Sequence, residues 1–183
     1  MPFCPIPPQL VLPPTLYQRI RNGSRGIVFR ISDRYAAKIL YTGDCFTDCK
    51  NFTLRTDAHA VTQLEHEAEI TGYMHDYELA VPKPMGVEKL CLFKNSSMTY
   101  PAYIMEYLPL PSGSDLGFHG VGIAEQRAVH EIGNAIECGF IPEKDDVRNS
   151  NNFLYDRNKR KGYLIDFEFW KFEERDLFPI ANL

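Results

Sequence analysis

Two short polar motifs toward the C-terminal end constrain this sequence most. The first, Asp146-Val147-Arg148-Asn149-Ser150-Asn151, follows a helical stretch. The second, Leu164-Ile165-Asp166-Phe167-Glu168, is an apolar, strand-like run that ends in acids, with Asp166 20 residues after Asp146. Both set carboxylate or amide oxygens where the chain turns. Such oxygens are the hard ligands that Mg²⁺ prefers. A surface turn with a polar cluster is the plain alternative for either motif alone. An apolar strand running straight into Asp-Phe-Glu at this distance from the first motif argues for a built site.

The 183 residues suffice for one ordinary domain or two small lobes sharing a cleft. Hydrophobic residues make up 44% and charged residues 24%, which is globular rather than disordered. A net charge of −4 offers no electrostatic case for nucleic acid. No apolar run is long enough to span a bilayer, so no membrane partner is expected. Residues 1–14 form a proline-rich arm without a basic region or an uninterrupted apolar stretch, so a secretory signal peptide is not expected. The five cysteines are irregularly spaced, which suggests a reducing compartment rather than a disulfide framework. Cys45 and Cys49 with His59 have poor spacing for zinc.

Periodicity and turn residues predict the elements in order. Residues 16–20 and 27–31 form a hairpin, and residues 35–41 a third strand. Residues 42–57 read as a loop. Residues 58–75 form a helix with Val61, Leu64, Ala68 and Tyr73 inward, and Glu65 and Glu69 solvated. Pro82 and Pro84 bar its continuation. Residues 87–93 and 102–107 make a second strand pair across the turn at 94–97. Residues 109–122 read as a Pro/Gly/Ser-rich linker. A second helix covers residues 123–138, with Ala128, Ile132, Ala135 and Ile136 inward and Gly139 as its stop. Strands at 152–155 and 163–167 flank a basic turn at 156–162.

Three further motifs lie on these elements. Gly23-Ser24-Arg25-Gly26-Ile27-Val28 spans the first hairpin turn, and glycines there let backbone N–H groups approach phosphate oxygens. Taken alone it reads more readily as an ordinary hairpin turn. Tyr35-Ala36-Ala37-Lys38 lies on the third strand, where a Lys could also simply snorkel to solvent. Ala102-Tyr103-Ile104-Met105-Glu106-Tyr107-Leu108-Pro109 closes the fifth strand.

Taken together and in order, these motifs resemble the protein-kinase superfamily over roughly residues 16–170. The resemblance implies an α+β, minimal two-lobed protein-kinase-like fold. Its N-lobe would have five strands and one helix (16–108), and its truncated helical C-lobe would cover 109–183. Residues 1–15 would be an arm, and 1–183 a single kinase-like domain. It implies ATP and Mg²⁺ as cofactors, with Mn²⁺ as the alternative metal, and phosphoryl transfer to a hydroxyl. Gly23, Ser24, Gly26 and Val28 would cover the phosphates. Ala36 would leave room for adenine, and Lys38 would reach the α- and β-phosphates. Glu67 would fix the Lys38 rotamer. Met105 would sit behind the adenine, with backbone groups of Glu106 and Leu108 facing its edge. Asp166 and either Asn151 or Asn152 would hold the metal. Asp146 would orient the substrate hydroxyl, and Arg148 would neutralise charge on the transferring group.

Several positions depart from the family pattern. Arg21 stands where the first loop glycine would fall. The family's His-Arg-Asp is Lys144-Asp145-Asp146, and Glu168 replaces a glycine, adding charge beside the metal. Asn151 keeps the usual spacing from Asp146, while Asn152 better suits the following strand. The sequence stops 17 residues after Asp166, so an ordinary activation segment and later helices are not expected.

In size and layout the chain is most similar to the HopBF-type bacterial effectors, minimal kinases that phosphorylate host heat-shock protein 90. That likeness implies a protein substrate, a cytoplasmic location and, for an effector, delivery into a host cell. Small viral or fungal kinase-like proteins would look much the same. Two other functions fit parts of the pattern. A small-molecule phosphotransferase would share the ATP half, and a nucleotide-binding pseudokinase would explain the missing His and the Asp-Phe-Glu variant.

Overall fold

A computed structural model of the chain describes residues 17–22, 25–42, 53–93, 96–116, 118–142 and 150–173. The expectations for the N-terminal arm, Gly23, Ser24, Cys45, Cys49, Asp146 and Arg148 lie outside the described residues.

The first hairpin is β1 (Gln18–Asn22) and β2 (Gly26–Arg30), followed by β3 (Tyr35–Thr42). A two-residue strand, β4 (Thr53–Leu54), pairs with β3 inside what the sequence reads as loop. So short a strand carries no periodicity. The helix α1 (Ala58–Asp76) comes next, then β5 (Pro84–Leu90) and β6 (Tyr100–Glu106). The main path of this sheet is β1-β2-β3-β6-β5, all antiparallel, with β4 beside β3.

Alternation along β3 explains how the sheet serves two cores. Ala37 and Ile39 face one side, with Ile31, Ala102 and Ile104. Leu40 faces the other, against Ala60, Leu64 and Ala68 of α1 and Tyr103 of β6. Successive strand residues point to opposite faces, so Lys38 shares the α1 side with Leu40. Fully burying a side chain such as Leu64 stabilises by about 2 kcal/mol.

Asp57 caps α1, its Oδ1 accepting the Ala60 N–H at 3.0 Å. The buried stripe of α1 is Ala60, Leu64, Glu67, Ala68, Thr71 and Met74, with Ile70. Tyr73, expected inward, is 40% exposed, and Val61 is only half-buried. Both sit to the side of the stripe that the 3.6-residue repeat draws from Ala60.

The second lobe begins with a 3₁₀ turn at Gly113–Asp115 and continues as α2 (Phe118–Glu137). The helix starts five residues before the expected Ile123. Gly120 and Gly122 each weaken a helix by about 1 kcal/mol, which read as a linker, but they do not prevent it. Ala128, Ile132 and Ala135 are buried, whereas Ile136 is 40% exposed because the inward phase falls on Ala135. Gly139, at φ 94°, turns the chain out of the helix.

Next come β7 (Phe140–Ile141), a 3₁₀ turn at Ser150–Asn152, β8 (Phe153–Asp156), β9 (Lys161–Leu164) and β10 (Lys171–Phe172). β8 pairs with β9 and β7 with β10, all antiparallel. The strand expected over 163–167 stops at Leu164. Ile70, Met74, Ile132, Ala135, Phe140, Leu164, Phe167 and Trp170 form one core that joins α1 to the second lobe.

Candidate active site

Three elements converge on one ammonium. Lys38 on β3 donates from Nζ to Glu67 Oε2 of α1 at 2.7 Å and to Asp166 Oδ1 at 2.5 Å. Lys38 is 6% exposed and Glu67 2%, whereas the Asp166 side chain is 40% open. A buried charge costs several kcal/mol unless it is paired and hydrogen-bonded. Burial alone would lower the Lys38 pKa, but Asp166 and Glu67 outweigh it and hold the pKa above the ordinary ammonium value. Burial pushes Glu67 up to about 7, against the pull of Lys38 and with the push of Asp166.

Asp166 reaches this position through a tight turn after β9. The Leu164 N–H donates to the Ala80 carbonyl at 2.8 Å, and the Ile165 N–H to the Asn152 carbonyl at 2.9 Å. The next residue, Asp166, then takes φ 69°, in the left-handed region. That conformation costs a non-glycine residue about 1 kcal/mol or more and persists only where its surroundings hold it. Phe167 does the holding. Its ring is buried and meets Trp170 edge-on, centroids 5.4 Å apart. The chain therefore drives Phe167 into the core and leaves Asp166 facing the cleft.

The cleft itself has a volume of about 440 Å³, within the range of small-ligand sites. Strand register builds its upper wall. Lys38 pairs with Val28 on one side and Tyr103 on the other, and Ala36 pairs with Met105. Cross-strand partners share a face, so all five line the cleft together with Gly26. Gly26 lets the Lys38 stem lie close against the strand. A Cβ on it would stand 3.0 Å from Lys38 Cε and 3.3 Å from Cγ. Along the back edge, the Glu106 N–H donates to the Lys83 carbonyl at 2.9 Å, and the Leu108 carbonyl accepts from the Leu110 N–H at 2.8 Å. Asn151, Asn152 and Asp166 line the opposite wall.

Of the sequence-derived candidates, Gly26, Val28, Ala36, Lys38, Glu67, Met105, Glu106, Leu108, Asn151, Asn152 and Asp166 all border this one cleft. Both asparagines, Asn151 and Asn152, do so. Tyr103, Thr71 and Asp115 border it too, although sequence reasoning passes over them. Tyr103 is accessible to such reasoning, since it lies two residues before Met105 on one strand face. Asp115 has a weaker signal, the Ser112-x-x-Asp115 cap, in which Asp115 Oδ2 accepts from the Ser112 N–H at 3.0 Å. Glu168 is tied by Gln63 and Arg25. Among the described residues, no cluster of three or more His, Cys, Asp and Glu is placed to hold a metal ion, and no helix is long and apolar enough to cross a membrane.

No family model and no curated protein sequence matches the chain. Solved structures do. A crystal structure of WbdD aligns at TM-score 0.53 and 16% identity, covering 86% of this chain and 33% of that one. A co-crystal structure of WbdD with a kinase inhibitor aligns at TM-score 0.53 and 17% identity, covering 85% and 33%. WbdD is a bifunctional kinase-methyltransferase. The chain thus spans about a third of WbdD's length. The fold is kinase-like, a minimal two-lobed α+β arrangement with a sheet-rich N-lobe and a smaller second lobe. These likenesses do not single out the HopBF-type branch.

Proposed function

We propose that the chain is an ATP- and Mg²⁺-dependent protein kinase that phosphorylates a Ser or Thr hydroxyl. One observation carries the reading. A buried lysine on the sheet meets one carboxylate from α1 and another from a strained turn, at the wall of a nucleotide-sized cleft. The second carboxylate, Asp166, is half-open and borders the cleft, where it would face a bound ligand.

Lys38 would exchange its contact with Asp166 for the α- and β-phosphate oxygens, with Glu67 holding its stem in place. The Glu106 carbonyl and Leu108 N–H are the acceptor and donor left for an adenine edge, since their counterparts are engaged. Ala36 and Val28 would pack on the ring. The donor set suits Mg²⁺, because Asp166 and the two asparagines offer hard oxygens. Bound there, Mg²⁺ would neutralise phosphate charge in the transition state. Either Asn151 or Asn152 would complete the site with Asp166. Asp146 would orient the acceptor hydroxyl and Arg148 would face the transferring group.

The HopBF-type likeness makes heat-shock protein 90 the first protein acceptor to test. WbdD, whose structures share the fold, is named a kinase as well. The experiment is transfer of labelled phosphate from ATP with Mg²⁺ or Mn²⁺ to that chaperone, to a proteome lysate, and to aminoglycosides and amino-alcohols. Lys38→Ala and Asp166→Ala should each lower transfer by roughly a hundredfold or more. Transfer that survives both substitutions overturns the assignment. Label on a small molecule alone makes the chain a small-molecule phosphotransferase. Nucleotide-dependent thermal stabilisation without transfer makes it a pseudokinase.

A further inference from the structure

The segment after Asp166 has a second attachment, to α1. Glu168, Trp170 and Phe172 alternate along it, and each meets that helix. Gln63 Nε2 donates to Glu168 Oε1 at 3.0 Å. His66 Nε2 lies 2.9 Å from the Trp170 carbonyl oxygen, and a carbonyl only accepts, so that nitrogen carries the proton. The Tyr73 ring stacks on Phe172 with centroids 5.2 Å apart. Gln63, His66 and Tyr73 stand at i, i+3 and i+10, on one side of the helix. The Trp170 indole is buried with Ile70 and Met74 of the same helix. Residues 168–172 thus form a strap along α1.

The strap is tied beyond the helix as well. Gln63 Oε1 accepts from Arg55 at 2.8 Å, which fixes the orientation of the amide. Arg55 is paired with Asp57, the cap of α1. On its other side Glu168 lies 3.5 Å from Arg25, in the loop before β2, and the Arg25 guanidinium covers the Phe169 ring at 4.4 Å. The Arg25 side chain is 57% exposed, so that pair alone is worth little. The Glu168 side chain is 6% exposed, and a carboxylate so buried needs its donors.

We propose that Glu168 is a positioning residue that clips α1 to the turn carrying Asp166, so that Glu67 and Lys38 stay paired before any ligand arrives. The proposal rests on the phosphotransferase reading and adds how its site is kept assembled. Where the family pattern has a glycine, this chain has a side chain long enough to reach the helix. Its charge is spent on Gln63 and Arg25.

Amide hydrogen exchange on the full chain tests this, comparing wild type with Glu168→Ala, Glu168→Gln, Gln63→Ala and the double Ala variant. In Glu168→Ala, exchange across residues 58–70 should accelerate about tenfold, the scale of one hydrogen bond to a charged group, while α2 is unchanged. Glu168→Gln should restore most of the protection, since its amide oxygen still accepts from Gln63. The double variant should be no worse than either single. Affinity for an ATP analogue with Mg²⁺ should fall in Glu168→Ala and recover in Glu168→Gln. Unchanged exchange over 58–70, equal acceleration in α2, no rescue by Gln, or additive effects would overturn the proposal. A wild-type chain that binds no nucleotide sinks the kinase reading instead and leaves the exchange result standing.

Discussion

The two walls of the cleft are built in different ways. The upper wall is a ladder. Val28, Ala36, Lys38, Tyr103 and Met105 face the same space because three antiparallel strands are in register. The lower wall is a turn. Asp166 faces the cleft only because Phe167 and Trp170 anchor the next few residues in the core, and because its own left-handed backbone bends the chain there. A ladder distributes its constraint over many backbone bonds and tolerates local change. A pinned turn concentrates it in a few side chains. The charged centre straddles the two, with Lys38 on the ladder and Asp166 on the turn.

The largest effect should therefore come from the turn's anchor. Trp170→Ala removes a buried indole and should destabilise the chain by about 4 kcal/mol in urea unfolding. It should also weaken nucleotide binding more than an equally costly truncation of Leu64 does. Equal losses of binding from both would erase the contrast between the walls.

On the ladder, Gly26→Ala should act mainly through Lys38. The new Cβ would push the Lys38 stem by a few tenths of an ångström, and the stem can give. Stability should fall by about 1 kcal/mol or less, while affinity for an ATP analogue drops roughly tenfold, by titration against a fluorescent nucleotide. A large loss of stability with intact binding would show that Gly26 serves the sheet instead.

Where the walls meet, pH should matter. Glu67 is held at about 7 in the folded chain, well above the ordinary carboxylate value, so the fold takes up a proton that the unfolded chain has already lost. Stability carried by this group should fall as pH rises toward about 7 and then level off. Lys38 is shifted upward, so its contribution persists through neutrality and is lost only at strongly alkaline pH. Glu67 gains its charge as pH rises toward about 7, so nucleotide affinity should rise over the same range in which stability falls, and then level off. Glu67→Gln should flatten both profiles, measured by urea unfolding and nucleotide titration between about pH 5 and pH 8.

The smallest effect should come from Tyr103. Its hydroxyl is buried at the back of the cleft beside Thr71 and makes no well-formed hydrogen bond among the described residues. Tyr103→Phe should leave stability unchanged or raise it by up to about 1 kcal/mol in the same unfolding assay. A clear loss would reveal a partner for that hydroxyl.

Most of the upper wall is legible in the sequence. Alternation and turn residues locate β2, β3, β6 and α1 nearly to their ends, and the motifs that resemble the protein-kinase pattern single out Gly26, Ala36, Lys38 and Met105 on them. The misses share one cause. Tyr73 and Ile136 lie beside apolar stripes, and which side a helix buries depends on its partner. β4, β7 and β10 are two residues long and exist only through pairing. The helical start at Phe118 overrides a local preference against Gly120 and Gly122.

Residue type and local periodicity place a lysine on a strand, a glutamate on a helix and an acid after an apolar run. Their joint chemistry is what the resemblance to the protein-kinase pattern implies. Tertiary structure alone decided that the three meet. Lys38 and Asp166 are 128 residues apart, and no local preference spans that distance. It also decided that Glu168, which reads as extra charge beside a metal, is a buried strut to α1. The physical reason is burial. A carboxylate in water is defined by its charge, whereas one removed from water is defined by the donors that the fold brings to it.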